Sequence, residues 1–85
     1  MIPWEIIYAR SAVRELEKLN PAARTLVLRG IQRYAETDSG DVKKLQVDKT
    51  STWRLRVGDW RVFFDKDVQK RVLAIKSVRN RKDSY

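Results

Sequence analysis

The stretch Trp53-Arg54-Leu55-Arg56-Val57-Gly58-Asp59-Trp60-Arg61-Val62-Phe63-Phe64 leaves the chain little freedom in what it can fold into. Apolar and polar residues alternate on both sides of the Gly58-Asp59 pair. That is the pattern of two strands joined by a two-residue primed turn, with glycine supplying the positive φ. Trp, Val, Leu and Phe favour a pleated, half-buried surface, so propensity agrees with period. With Gly58 and Asp59 as the loop, Val57 pairs with Trp60, Arg56 with Arg61, Leu55 with Val62, Arg54 with Phe63, and Trp53 with Phe64. Side chains alternate across a strand, so Trp53, Leu55, Val57, Trp60, Val62 and Phe64 share one face, which must be core. The other face carries Thr52, Arg54, Arg56, Arg61, Phe63 and Asp65.

Like charges directly opposite one another cost a strand pair roughly 0.2–1 kcal/mol, yet this register sets Arg56 against Arg61 with Arg54 beside them. Two readings follow: a solvated arginine face, or a binding face for a polyanion, foremost nucleic-acid phosphate. The charge distribution favours the second. The net charge is +8, and residues 1–42 contribute none of it, with six basic and six acidic side chains; the whole excess lies in residues 43–85. Segregation of this kind points to a dedicated anionic partner.

At 85 residues the chain makes one domain, residues 1–85, near the lower end of what one core stabilises without staples. It has no cysteine and no histidine. Disulfides, zinc–thiolate sites, a Ser-His-Asp triad and a histidine-pair ribonuclease site are therefore excluded. Any catalysis must run on Arg, Lys, Tyr, Asp, Glu, Ser or Thr. The start, Met1 to Glu5, has neither a basic n-region nor an apolar h-region, and no 18-residue apolar run occurs. The expectation is a soluble chain of the cytoplasm with no membrane partner.

In chain order, Trp4 to Tyr8 reads as a first strand. Ser11 reads as an N-cap, without a capping box, for a short amphipathic helix on which Ala12, Val13, Leu16 and Leu19 recur. Asn20-Pro21 opens a second helix, from about Pro21 to Ala35, because Asn caps well and Pro suits the first helical position. Its candidates for burial are Leu26, Leu28, Ile31, Tyr34 and Ala35, and Gly30 marks a close helix–sheet approach. Glu36 to Asp41 is loop, Val42 to Val47 a short strand or extended arm, and Asp48 to Ser51 loop again. The hairpin ends near Asp65, and Lys66 to Lys70 is a turn. Arg71 to Val78 is apolar enough on both faces to be an inner strand; if Leu73 and Ile75 face the core, Lys76 joins the arginine face. The order β-α-α-β-β-β(-β) predicts an α+β fold, an antiparallel twisted sheet with an αα-hairpin packed on its apolar face. The face bearing Arg54, Arg56 and Arg61 is left uncovered.

These residues resemble a known family. Trp53 to Val62 is similar to the "yRLRvGdyRv" signature of the RelE/ParE toxin superfamily, and Val78 to Tyr85 to its closing "VgHRkdvY". Ala12, Glu15, Leu16, Lys18 and Leu19 match its first helix, and Lys44-Leu45 the "KL" before the hairpin. The resemblance spans essentially the whole chain. It implies a toxin of a type II toxin–antitoxin pair, of the RelE-type branch that cuts messenger RNA in the ribosomal A site. It also implies a cognate antitoxin, here expected to be acidic, and contacts with ribosomal RNA. Carried over by position, the basic strand residues fall on Arg54 and Arg56, the arginine after the turn on Arg61, the tail arginine on Arg81 and the terminal tyrosine on Tyr85. Three departures stand out: the family's His is Asn80, the Gly before it is Arg79, and strand lysines of some members are arginines. A lysine can exchange a proton and an arginine essentially cannot.

RNA is cut without metal when the 2′-OH attacks the adjacent phosphate in line while the protein orients it and neutralises the developing charge. Guanidinium groups suit that task. On this reading Arg61, Arg81 and Tyr85 are the candidate catalytic residues, and Arg54, Arg56, Lys76 and Lys82 bind RNA or phosphate, Lys76 and Lys82 doubling as secondary proton carriers. Tyr85 is the acid–base candidate or a stacking platform; otherwise it is a terminal aromatic packed on the sheet. No metal or cofactor is expected, because Asp65, Asp67 and Asp83 are scattered. Trp53 and Trp60 share parity with Leu55 and Val62 and belong to the core. Two alternatives remain open: a ParE-like inhibitor of DNA gyrase, and a non-catalytic basic RNA-binding module.

Overall fold

The computed structural model describes residues 2–47 and 50–80. Its elements run β1 (Glu5–Tyr8), α1 (Arg10–Glu17), α2 (Pro21–Thr37), β2 (Asp41–Val47), β3 (Thr50–Val57), β4 (Trp60–Asp67) and β5 (Val72–Asn80). The five strands form one sheet in the order β1-β5-β4-β3-β2. The α+β architecture is as expected, and the β3–β4 register agrees residue by residue from Val57↔Trp60 to Trp53↔Phe64. Gly58 sits at φ +59. Of the two tight primed turns, a positive φ at the first loop residue alone fits type II′.

The sheet departs from the expectation at one edge: β1 pairs with β5 in parallel, Ile6 against Leu73 and Tyr8 against Ile75, so the sheet is mixed. β5 is therefore an inner strand, as its two apolar faces predicted. β1 stops at Tyr8, and the rest of the β5 edge is finished by helix α1. The Ala9 amide donates to the Ile75 carbonyl at 2.8 Å. Ser11 Oγ donates to the Lys76 carbonyl at 2.7 Å, and the Val78 amide donates to Glu15 Oε1 at 3.0 Å. Ser11 and Glu15, one helical turn apart, take the place of an edge strand. This corrects the N-cap: the helix begins one residue after sheet pairing ends, Ala9 holds the cap position without a side-chain bond, and Ser11 lies inside α1. Asn20 does cap α2, accepting from the Ala23 amide at 2.8 Å, with Pro21 at the helix start. Between the helices, Arg24 finishes α1 by donating to the carbonyls of Leu16, Glu17 and Leu19 at 3.0–3.1 Å.

Both helices lie on one face of the sheet. Val27, Ile31, Tyr34 and Ala35 of α2, with Ala12 and Leu16 of α1, meet Leu55, Val62, Phe64, Leu73, Ile75 and Val78 in the core. Trp53 and Trp60 pack partly buried against it, as their parity required. The phase of α2 differs from expectation: Val27 is fully buried, whereas Leu26 and Leu28 are exposed, as is Val13 on α1. Gly30 fixes that phase, because a Cβ there would come within 2.6 Å of the Val57 side chain. β2 is a strand over its whole length, pairing Asp41↔Arg56 through Val47↔Thr50, and β3 begins inside the expected loop. At the far end of the core the Lys66 ammonium stands over the rings of Trp53, Tyr34 and Trp4 at 3.9, 5.1 and 5.8 Å, and the Arg71 guanidinium over Trp4 at 4.2 Å. Trp4 Nε1 donates to Asp38 Oδ1 at 3.0 Å.

Candidate nucleic-acid interface

The uncovered face is built by the parity of β2 to β5. Direct register sets Asp41 beside Arg56, Arg56 beside Arg61, and Arg61 beside Arg79. Three arginines on three adjacent strands thus stand in one row, with an aspartate at its β2 end. The next row is Lys43, Arg54, Phe63 and Ser77. A break in register at Phe63/Phe64 adds one residue to β5. It is the reason Val78 and Ile75, three apart, both reach the core.

The cations of this face are not equivalent. Arg56 is exposed, and its Nε approaches the Gly58 carbonyl at 3.4 Å. Arg61 is half-buried between two other arginines. Arg54 is held: its side chain is 20% exposed, its Nη2 lies 3.8 Å from Asp41 Oδ1, and its Nε is buried without a partner. Lys76 does join the face, as predicted, but is engaged by Asp65 at 3.2 Å. Arg79 Nε lies 3.2 Å from Glu15 Oε2. Of the expected site residues, Arg54, Arg56, Arg61 and Lys76 share the face, whereas Arg81, Lys82 and Tyr85 lie outside the described residues, as does Asp83. Asp65 and Asp67 are turned to separate partners, Lys76 and the Lys70 amide, and the described residues hold no cluster of three metal-ligating side chains.

Lys43, Phe63 and Arg79 were missed as site residues. Lys43 required knowing that β2 is a strand in register with β3. Phe63 was already legible on the arginine face, and its ring stands between Arg54 and Ser77 as an apolar surface among cations.

The motifs that make this face are those of a family. A model described as the ParE toxin of the parDE type II toxin–antitoxin system matches residues 6–85. The chain belongs to this RelE/ParE toxin family. No curated protein sequence matches it. Among solved structures, the toxin superposes on an archaeal RelE–RelB complex from Pyrococcus horikoshii with a TM-score of 0.78 at 21% identity, covering 99% of this chain and 100% of that one. A RelBE toxin–antitoxin complex from Mycobacterium tuberculosis gives 0.78 at 24% identity, covering 94% and 100%. The isolated RelE toxin of E. coli gives 0.70 at 15% identity, covering 91% and 83%. At these identities the likeness establishes a shared fold. No helix among the described residues is long and apolar enough to cross a membrane.

Proposed function

We propose that this toxin is a metal-independent endoribonuclease of the RelE type, which binds messenger RNA in the ribosomal A site across its arginine face and cuts it there. The observation that carries the reading is the row Arg56–Arg61–Arg79 on a sheet face that no helix among the described residues covers. A fold that needed only solubility gains nothing from two like-charge contacts in line. A phosphate backbone gains a line of bidentate donors.

In the reaction the 2′-oxygen attacks the adjacent phosphorus and the bond from phosphorus to the 5′-oxygen breaks, leaving a cyclic phosphate and a free 5′-hydroxyl. Arg61 and Arg56 would stabilise the charge that develops on the phosphoryl oxygens. Arginine does not exchange protons at physiological pH. The proton leaving the 2′-OH and the one reaching the 5′-oxygen therefore need other groups, and Tyr85 is the leading one, with Lys82 and Lys76 behind it. Arg81 completes the phosphate clamp. Phe63 offers a ring on which a base can stack among the cations. The partner that silences the toxin is an acidic antitoxin, in keeping with the net charge of +8 and with the RelB-bound toxins of the same fold. The exposed Val13 and Leu28 line a groove between α1 and α2 with Tyr8 and Leu16, suited to the apolar side of such a segment.

A second reading has its own observation: the matching family model is that of the ParE toxin, and ParE-type members act on DNA gyrase. Primer extension on translated messages, run beside a gyrase supercoiling assay, decides between them. Cuts within messages on ribosomes with supercoiling intact support the nuclease. Intact messages with failed supercoiling support the gyrase inhibitor. RNA binding with neither effect leaves a non-catalytic module.

A further inference from the structure

At position 79 the family pattern has a glycine and this chain an arginine, so the tail motif alone presents Arg79 as a departure. The sheet register gives it a place. Arg79 faces Arg61 from β5 just as Arg56 faces it from β3. Its head group is also held: Glu15 Oε2 lies 3.2 Å from Arg79 Nε, while Glu15 Oε1 accepts from the Val78 amide at 3.0 Å. One carboxylate, on a side chain only 21% exposed, thus fixes the backbone of one residue and the guanidinium of the next, and the arginine remains 53% exposed.

The row is electrostatically bounded. Asp41 stands opposite Arg56 at the β2 end, and Glu15 contacts Arg79 at the α1 end. Glu15 offsets the repulsion that would otherwise drive Arg79 away from the middle arginine, whereas the Asp41 carboxylate lies 3.8 Å from Arg54 in the next row. With neighbouring strands about 4.8 Å apart, three strands give a row roughly 10 Å long, longer than a single phosphate group. We propose that Arg79 is a third phosphate ligand, which extends the anion-binding row onto β5 so that it spans successive phosphates of a single RNA strand, and that Glu15 is its positioning residue. The inference rests on the reading of this face as an RNA-binding one.

The test measures binding of a short single-stranded oligouridylate to the purified toxin over a range of salt concentrations. Three variants are compared with the unaltered chain: Arg79→Gln, Arg79→Lys, and Arg29→Gln, which removes the same charge from an exposed site on α2, across the sheet. Each phosphate contact to a single strand contributes about 0.7 to the slope of log affinity against log salt. Arg79→Gln is expected to lower that slope by about 0.7 and to weaken binding several-fold at low salt, while Arg79→Lys and Arg29→Gln keep the slope. Glu15→Gln retains an acceptor for the Val78 amide; it is expected to weaken binding less than Arg79→Gln does, and to add nothing on top of that substitution. Thermal melts of every variant establish that it is folded. If Arg79→Gln behaves like Arg29→Gln while the unaltered toxin binds and cleaves RNA, Arg79 is only an ion-paired surface residue, and the inference fails with the functional reading intact. If the unaltered toxin binds no oligouridylate, the inference fails, and primer extension on translated messages decides the nuclease reading separately.

Discussion

Arg61 is the residue at which folding and function should pull in opposite directions. It stands on β4 with Arg56 on one side and Arg79 on the other. Each directly opposed like-charge pair costs roughly 0.2–1 kcal/mol, so removing the central charge relieves two contacts worth together about 0.4–2 kcal/mol at low salt. Arg61→Gln keeps side-chain length and strand compatibility. For a domain of this size, 1 kcal/mol corresponds to about 4–8 °C in melting temperature, so a rise of several degrees is expected. The neighbours behave differently. Arg56→Gln removes one repulsion and the approach of Nε to the Gly58 carbonyl, and Arg79→Gln removes one repulsion and the contact with Glu15. Arg56→Gln and Arg79→Gln should therefore melt close to the unaltered chain. At about 1 M salt the screening length falls to about 3 Å, and the gain from Arg61→Gln should disappear. Cleavage should fall by roughly 10²-fold or more in the same variant, the scale of losing one transition-state donor. Arg61→Gln melting below the unaltered chain, or a gain that survives high salt, would rule out relief of repulsion. In either case the arginine serves packing, and the row is not a store of repulsion kept for a ligand.

Gly30→Ala gains about 1 kcal/mol of helix propensity but drives a methyl group to within 2.6 Å of Val57. It should lower stability by about 1–3 kcal/mol in chemical denaturation, and Val57→Ala should relieve the clash in the double variant. Lys66→Ala removes a cation from above three rings and should cost about 1–2 kcal/mol, whereas Lys66→Arg should restore most of it; equal loss in both would deny the cation a role. Burial raises the Tyr8 phenol above its usual 10.0, so the folded state favours the neutral form, and that contribution is complete below pH 10 and lost as pH rises through the folded-state value. Melting temperature followed from about pH 9 to about pH 11 should fall less steeply in Tyr8→Phe. Tyr85→Phe keeps the ring and removes the hydroxyl: a large loss in single-turnover cleavage assigns proton transfer, and near-normal cleavage leaves a platform only.

Much of this was legible in the sequence, for a local reason. A two-residue turn fixes which residues of β3 and β4 face each other, and alternation then assigns both faces, so Arg54, Arg56 and Arg61 could be placed together from sequence alone. Asn20-Pro21 fixed the start of α2 in the same way. What failed depended on distant partners. Leu26, Val27 and Leu28 are consecutive apolar residues, and only the approach of Gly30 to Val57 selects Val27 for the core. Ser11 looks like a cap until the Ala9 amide is seen to be still bonded to Ile75, which leaves Ala9 as the single residue between strand and helix and gives it the cap position. Nothing within Trp4 to Tyr8 specifies a parallel partner in the second half of the chain. Arg79 shows the point most sharply. Strict alternation from Leu73 and Ile75 carries Ser77 and Arg79 to the core face, which a charged residue at 79 would make a conflict. The extra residue of β5 at the Phe63/Phe64 break restores Val78 to the core and turns Arg79 outward into the row.

That break also bears on how the face divides its work. It lets Lys76 reach Asp65 on the same side as Ser77, while Arg54 is occupied by Asp41 and by burial. Arg54, named from the motif, and Lys76, named from strand alternation, are thus engaged before any ligand arrives. Arg56, Arg61 and Arg79 lie in one line, Arg79 steadied by Glu15 and the middle one opposed by arginine on both sides. A guanidinium in that middle position gains most from a phosphate, because the ligand removes two repulsions as it adds an attraction. The strongest phosphate site on the face should therefore centre on Arg61, and the scissile phosphate should lie there, with neighbouring phosphates toward Arg56 and Arg79. The chain leaves the row at Arg79, two residues before Arg81 and six before Tyr85. On the nuclease reading, these arginines would hold and neutralise the phosphate charge, and Tyr85 would supply the phenol that moves a proton.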